Sequence, residues 1–116
     1  MFNLKNDKLL GYTIVGFEIG KYTYNGTISV MAYCNGEYGA EPFGSITVNI
    51  EDSDTCVNDC NFIDSNNMGT DVLLFLEENN IAHPTGRVGN SGYCVYPEYR
   101  FNKEFIREYS RKSTDV

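Results

Sequence analysis

From Thr27 to Cys34 the chain alternates strictly. Ile28, Val30, Ala32 and Cys34 fall on one side of an extended backbone, and Thr27, Ser29, Met31 and Tyr33 fall on the other. A period of two is incompatible with a helix and demands a half-buried strand, so this segment commits the first half of the chain to a sheet. The same period returns at Ser45–Ile50, where Ile46, Val48 and Ile50 alternate with Ser45, Thr47 and Asn49. Upstream, Tyr12–Ile19 is rich in branched and aromatic side chains. Gly20-Lys21, Asn25-Gly26, Asn35-Gly36 and Tyr38-Gly39 supply turn chemistry between these runs, so neighbouring strands are expected to pair antiparallel.

Helical signals appear later. Thr70 is placed to cap a helix, Asp71 favours its positive end, and Val72, Phe75 and Leu76, reinforced by Leu73, form an apolar stripe that Asn79-Asn80 ends. If Asn102 caps a second helix, Phe101 and Ile106 occupy the two positions of a hydrophobic staple, with Phe105 and Tyr109 extending the buried face. Residues 51–61 lose all periodicity and read as an exposed connection, Phe62-Ile63 as an apolar anchor, and Asp64-Ser65-Asn66-Asn67 as a turn. The expected fold is α+β: an antiparallel sheet of about four to five strands packed by one or two helices. With 116 residues, 41% of them hydrophobic, one compact domain over 1–116 is expected, ending in a frayed tail at Ser113–Val116.

The run from His83 to Pro97 holds the lone histidine, Arg87 and three glycines at Gly86, Gly89 and Gly92, followed by Tyr93, Val95 and Tyr96. Its spacing lacks the lysine and the strand-to-helix setting of a phosphate-binding loop. The reading is a shaped loop whose glycines serve backbone geometry, anchored by a short aromatic strand.

Charge is distributed unevenly. The formal net charge is −7, and residues 51–80 carry eight acids and no base, while residues 81–116 carry six bases and four acids. Such a middle repels nucleic-acid backbones and attracts a basic partner. Glu51, Asp52, Asp54, Asp59 and Asp64 are the candidate recognition acids, presented together with Arg87, Tyr93, Tyr96 and Tyr99. No segment is apolar and long enough to span a bilayer or to act as a secretory leader, so a cytoplasmic location without membrane contact is expected. Four cysteines in such a chain are expected to be reduced.

Chemistry at these side chains is weakly signalled. Cys56 and Cys60, with Cys94 and His83 from elsewhere, would make four zinc ligands only if folding gathered them. Asp52, Asp54, Asp59 and Asp64 lack the ordered spacing, central glycine and terminal glutamate of a calcium loop. A Cys94–His83 nucleophile and base, oriented by Asp64, is a conceivable catalytic set, but Cys94 lies in an alternating run where a packing role serves equally. The expectation is therefore no metal, no cofactor and no enzymatic reaction.

Several segments keep an unusual order: Phe43-Gly44-Ser45-Ile46-Thr47-Val48-Asn49-Ile50, Asn61-Phe62-Ile63-Asp64-Ser65-Asn66-Asn67, Pro84-Thr85-Gly86, Ser91-Gly92-Tyr93-Cys94-Val95-Tyr96-Pro97 and Tyr99-Arg100-Phe101-Asn102. Over roughly residues 43–106 the chain thereby resembles a family of short bacterial, phage and mobile-element proteins catalogued as a domain of unknown function. The resemblance implies a mobile-element setting and carries no catalytic residues with it. Combined with the charge pattern, it makes the leading expectation a small acidic interaction protein, an inhibitor of a host-defence or nucleic-acid enzyme that binds a basic protein surface by phosphate-like mimicry. The alternative is an accessory protein that binds nucleic acid directly through Arg87, Arg100, Lys103, Arg107, Arg111 and Lys112 interleaved with Tyr93, Tyr96, Tyr99 and Tyr109. The same bases can instead balance the acidic middle within the fold or across a homodimer contact.

Overall fold

A computed structural model describes residues 2–22, 26–50 and 59–110. Among the described residues, eight strands and three short helices follow one another as β1 (Lys8–Leu9), β2 (Tyr12–Lys21), β3 (Ile28–Gly36), β4 (Gly39–Ser45), β5 (Thr47–Val48), β6 (Cys60–Ile63), α1 (Ser65–Met68), α2 (Asp71–Glu78), β7 (Ala82–Ser91), β8 (Cys94–Phe101) and α3 (Lys103–Ser110). The α+β class is as expected, but the strands divide into two antiparallel sheets of order β1-β2-β3-β4 and β5-β6-β8-β7 rather than forming a single sheet. The division falls at Ile46. β4 ends at Ser45, and the next two side chains, Ile46 and Thr47, are both buried, which an unbroken strand with one wet face would not permit.

Polar side chains stitch the sheets together at this point. Ile46 N–H donates to the Val30 carbonyl at 2.8 Å, and the buried Thr47 hydroxyl accepts from Val30 N–H at 3.1 Å. Asn61 donates through Nδ2 to the Ile28 carbonyl at 2.7 Å and to the Thr27 hydroxyl at 3.3 Å, while its Oδ1 accepts from Phe62 N–H. Each buried polar group thus replaces the ladder partner that the break in the sheet removes.

One core lies between the sheets and the helices. Ile14, Phe17, Val30 and Ala32 enter from the first sheet, Ile63, Tyr99 and Phe101 from the second, Val72, Phe75 and Leu76 from α2, and Phe105 from α3. On the other face of the second sheet, Ile50, Phe62 and Tyr96 make a smaller cluster with Val48 and Cys94 packed on it. β6 is buried along its whole length because it is covered on both faces, which corrects the reading of Cys60 and Asn61 as part of an exposed connection.

The helix ends follow the sequence closely. Asn80 sits at φ 57, its N–H donates to the Glu77 carbonyl, and Ile81 N–H donates to the Leu76 carbonyl, a paired arrangement that closes α2 with Ile81 packed beside Leu76 in the core. Asn102 caps α3 through Oδ1, which accepts from Glu104 N–H at 2.9 Å. Thr70 precedes α2 without a side-chain cap bond, and the expected turn at Ser65 is one helical turn whose preceding Asp64 accepts from Asn67. No helix among the described residues is long and apolar enough to cross a membrane. Cys34 and Cys94 are free thiols.

Candidate functional site

The glycine run is a strand and not a loop. β7 and β8 form a long hairpin whose two-residue turn is Gly92-Tyr93, and the ladder shifts register between Pro84 and Val88, where Gly86 adopts φ +95. A bulge there satisfies the local glycine chemistry while the strand continues, which residue types alone left open. Along β8 the alternation sends Tyr99 and Phe101 into the main core and Tyr96 and Glu98 to the opposite face.

This placement removes two of the candidate contact residues. Tyr99 is only 3% exposed and Tyr96 is buried against Ile50 and Phe62, so neither ring can stack on a base or a partner. Tyr93 is fully exposed at the hairpin tip. Tyr99 donates its hydroxyl to Glu77 Oε2 at 2.5 Å. Burial first, then this hydrogen bond and the Glu77 charge, push its phenol well above the usual tyrosine value near 10. The folded state therefore holds a proton that the unfolded chain releases above pH of about 10, and stability must fall as pH rises through that range. Tyr99→Phe is expected to flatten part of this alkaline loss, read as the change in urea midpoint between pH of about 9 and 11. An unaltered slope would assign the loss to other tyrosines.

The remaining sequence candidates scatter. Glu51, Asp52, Asp54 and Cys56, together with Arg111, Lys112 and the expected tail, lie outside the described residues. Asp64 is spent on α1, and Asp59 stands 3.8 Å from Arg100 Nε. His83 lies opposite Arg100 near one end of the β7–β8 hairpin, whereas Cys94 closes the other end opposite Ser91. Six extended residues at about 3.3 Å each hold them roughly 20 Å apart, so the Cys94–His83 dyad and a zinc site using both are ruled out by the strand register. His83 instead meets Asn80 Oδ1 at 2.6 Å. Among the described residues no three histidine, cysteine or acidic side chains gather as metal ligands.

Among the described residues, two surfaces gather side chains suited to binding. The first is a cleft between β7, β8 and the start of α3, lined by Asp59, His83, Thr85, Arg87, Arg100 and Lys103 among others. Behind it, Glu98 is completely buried, accepts from the Thr85 hydroxyl at 2.6 Å and stands 3.9 Å from Arg87 Nε. The second is a shallow groove between the β1–β2 turn and α2, lined by Lys8, Leu9, Leu10, Asp71, Leu74, Phe75 and Glu78. Here Leu10 and Leu74 are 45% and 63% exposed. Leu10 adopts φ 51 and Gly11 φ 84, the left-handed pair of a two-residue hairpin turn in which asparagine or glycine is the ordinary first residue.

The chain matches the domain of unknown function DUF4313 over residues 16–116. It belongs to this family. The match begins inside β2, so it leaves out β1 but takes in β3–β8 and all three helices, and it reaches well beyond the 43–106 region that carries the resemblance in sequence. No curated protein and no solved structure matches the chain.

Sequence reasoning missed Glu98, Leu10 and Leu74. Glu98 interrupts an otherwise aromatic strand between Pro97 and Tyr99, and an acid in that position signals a buried polar contact. Leu10-Gly11 was readable as a hairpin turn with an unsuitable leucine.

Proposed function

We propose that the protein is a non-enzymatic interaction module that docks a basic, leucine-bearing amphipathic segment of a partner protein in the groove between the β1–β2 turn and α2. The observation that carries this reading is Leu10, a large apolar side chain exposed at a turn tip on a backbone that costs an L-residue about 1–2 kcal/mol. Leu74 faces the same groove from α2. That helix carries Asp71, Glu77 and Glu78 and no base, and Glu77 and Glu78 sit at its negative end, where carboxylates are disfavoured. Glu77 has a structural partner in Tyr99, and Glu78 accepts an exposed contact from Asn6 Nδ2 at 3.2 Å. Local penalties in turn and helix meeting at one groove, where Leu10 and Leu74 are flanked by Asp71, Glu78 and Lys8, are the pattern of a surface kept for a partner. This reading adds the acids of α2 to the candidate acids of the 51–64 segment, of which Glu51, Asp52 and Asp54 lie outside the described residues.

The mobile-element setting that the resemblance implies would make such a partner a host-defence or nucleic-acid enzyme with a basic surface. Direct nucleic-acid binding is the weaker reading, since Tyr96 and Tyr99 are buried.

The test uses a labelled helical peptide of leucine and lysine alone, followed by fluorescence anisotropy at two ionic strengths. Binding is expected to weaken with salt and to fall about tenfold in Leu74→Ser and in Asp71→Asn/Glu78→Gln, while the distant Glu37→Gln leaves it unchanged. Leu10→Asn is expected to weaken binding and yet raise stability by about 1 kcal/mol, because asparagine tolerates the left-handed turn. Equal binding by Leu74→Ser, Leu10→Asn and the parent would exclude this groove.

A further inference from the structure

We propose that the cleft between β7, β8 and α3 binds a compact phosphate monoester, the phosphate lying among Arg87, Arg100 and Lys103. Three of the nine basic residues of an acidic chain converge on its lining, where Asp59 is the one carboxylate among the described residues. The volume of about 560 Å³ is that of a small-molecule site, for which roughly 300–1,000 Å³ is usual.

The cations are held on rigid elements. Arg100 is fixed in the middle of the second sheet, paired to Cys60 on one side and His83 on the other. Lys103 opens α3 directly after the Asn102 cap. Arg87 lies within the bulge, where its backbone N–H donates to the Thr85 hydroxyl at 3.2 Å and that hydroxyl donates to the buried Glu98. Glu98 and Asp59 form ion pairs with the Arg87 and Arg100 Nε atoms at 3.9 and 3.8 Å, which orients the two guanidinium groups. Both arginine side chains remain about half exposed to an incoming anion. A planar donor fork on each arginine and a point charge on Lys103 match the three terminal oxygens of a phosphate monoester. Asp59, Thr85 and His83 supply polar groups for the hydroxyls of the esterified moiety.

A polynucleotide fits this cleft poorly. The net charge of −7 opposes an extended polyanion, and Tyr96 and Tyr99, the neighbouring aromatic side chains of β8, are buried.

Isothermal titration and phosphorus-31 line shapes at low ionic strength, with adenosine 5′-monophosphate, glucose 6-phosphate, inorganic phosphate and a single-stranded oligonucleotide as probes, test the assignment. One equivalent of at least one small phosphate ester is expected to bind, with affinity falling about tenfold or more in both Arg100→Gln and Lys103→Gln and unchanged in the distant Lys5→Gln. Lys103 is exposed at a helix start, so its variant reports on binding even if Arg100→Gln disturbs the sheet. Failure of every small phosphate to bind, indifference of binding to both cleft variants, or tighter binding of the oligonucleotide would each overturn the proposal. Leu74→Ser leaves this titration unchanged, which separates failure here from failure of the α2 groove.

Discussion

Phe105→Ala is expected to cost about 3–5 kcal/mol, the largest loss of any single truncation in the chain. Phe105 is fully buried on α3 and stands at the centre of an aromatic cluster, with ring centroids 4.9 Å from Phe17, 5.1 Å from Tyr109, 5.3 Å from Phe2 and 6.0 Å from Phe101. The edge-on contacts to Phe2 and Phe17 place ring edges against ring faces, adding about 0.5–1.5 kcal/mol per pair beyond area burial. Alanine would leave a cavity bounded by the first sheet, the second sheet and the N-terminal segment at once, and three separate elements cannot all relax into it. A domain of this size has only about 5–15 kcal/mol of total stability, so the thermal midpoint should fall by more than about 10 °C. Circular dichroism melting and urea titration measure this directly, with exposed Leu74→Ala on α2 as a control near zero. A loss below about 1 kcal/mol for Phe105→Ala would mean that α3 is not anchored as described.

Local rules read well wherever one element determines its own end. The alternation at Ile28–Cys34 gave the buried face of β3 residue by residue, and Asn79-Asn80 and Asn102 marked helix boundaries through short side chains that bond to nearby backbone. What failed was long-range. Ile46, Val48 and Ile50 share a sequence period, yet Ile46 enters the main core while Val48 and Ile50 serve the small cluster, because the chain changes sheets between them. Nothing in a two-residue period reports which of two sheets a strand joins. The two surfaces were hidden for the same reason. Arg87, Arg100 and Lys103 were visible as charges, but only the β7–β8 register and the α3 cap bring them to one cleft, and the same register separates His83 from Cys94. Tyr96 and Tyr99, both candidate contact residues in sequence, occupy opposite faces of the second sheet and are buried in different clusters.

Gly89→Val is the second substitution expected to be severe, at about 3 kcal/mol, and its cause differs from that at the neighbouring glycines. Gly89 lies opposite Tyr96 on the face carrying the small apolar cluster, and a Cβ there would stand 2.8 and 2.9 Å from two ring carbons of Phe62 and 3.0 Å from Ile50 Cδ1. Phe62 is itself buried between sheet and cluster, so the ring has little room to withdraw. Gly86 and Gly92 have open space where a Cβ would be, but positive φ values of 95 and 61, so their substitution costs backbone strain of about 1–2 kcal/mol regardless of side-chain size. The two causes separate in a size series. Stability should fall progressively from glycine to alanine to valine at Gly89, and fall once and then level off at Gly92. His83→Ala removes one exposed hydrogen bond to Asn80 and should change stability by less than about 0.5 kcal/mol. Shortening the opposing ring in Phe62→Leu should make Gly89→Ala cheaper than it is in the parent, a coupling that a double-mutant cycle in urea reads out. Strict additivity of those two changes would show that no ring presses on position 89, and the close approach of β7 to β6 across β8 would then have to be abandoned.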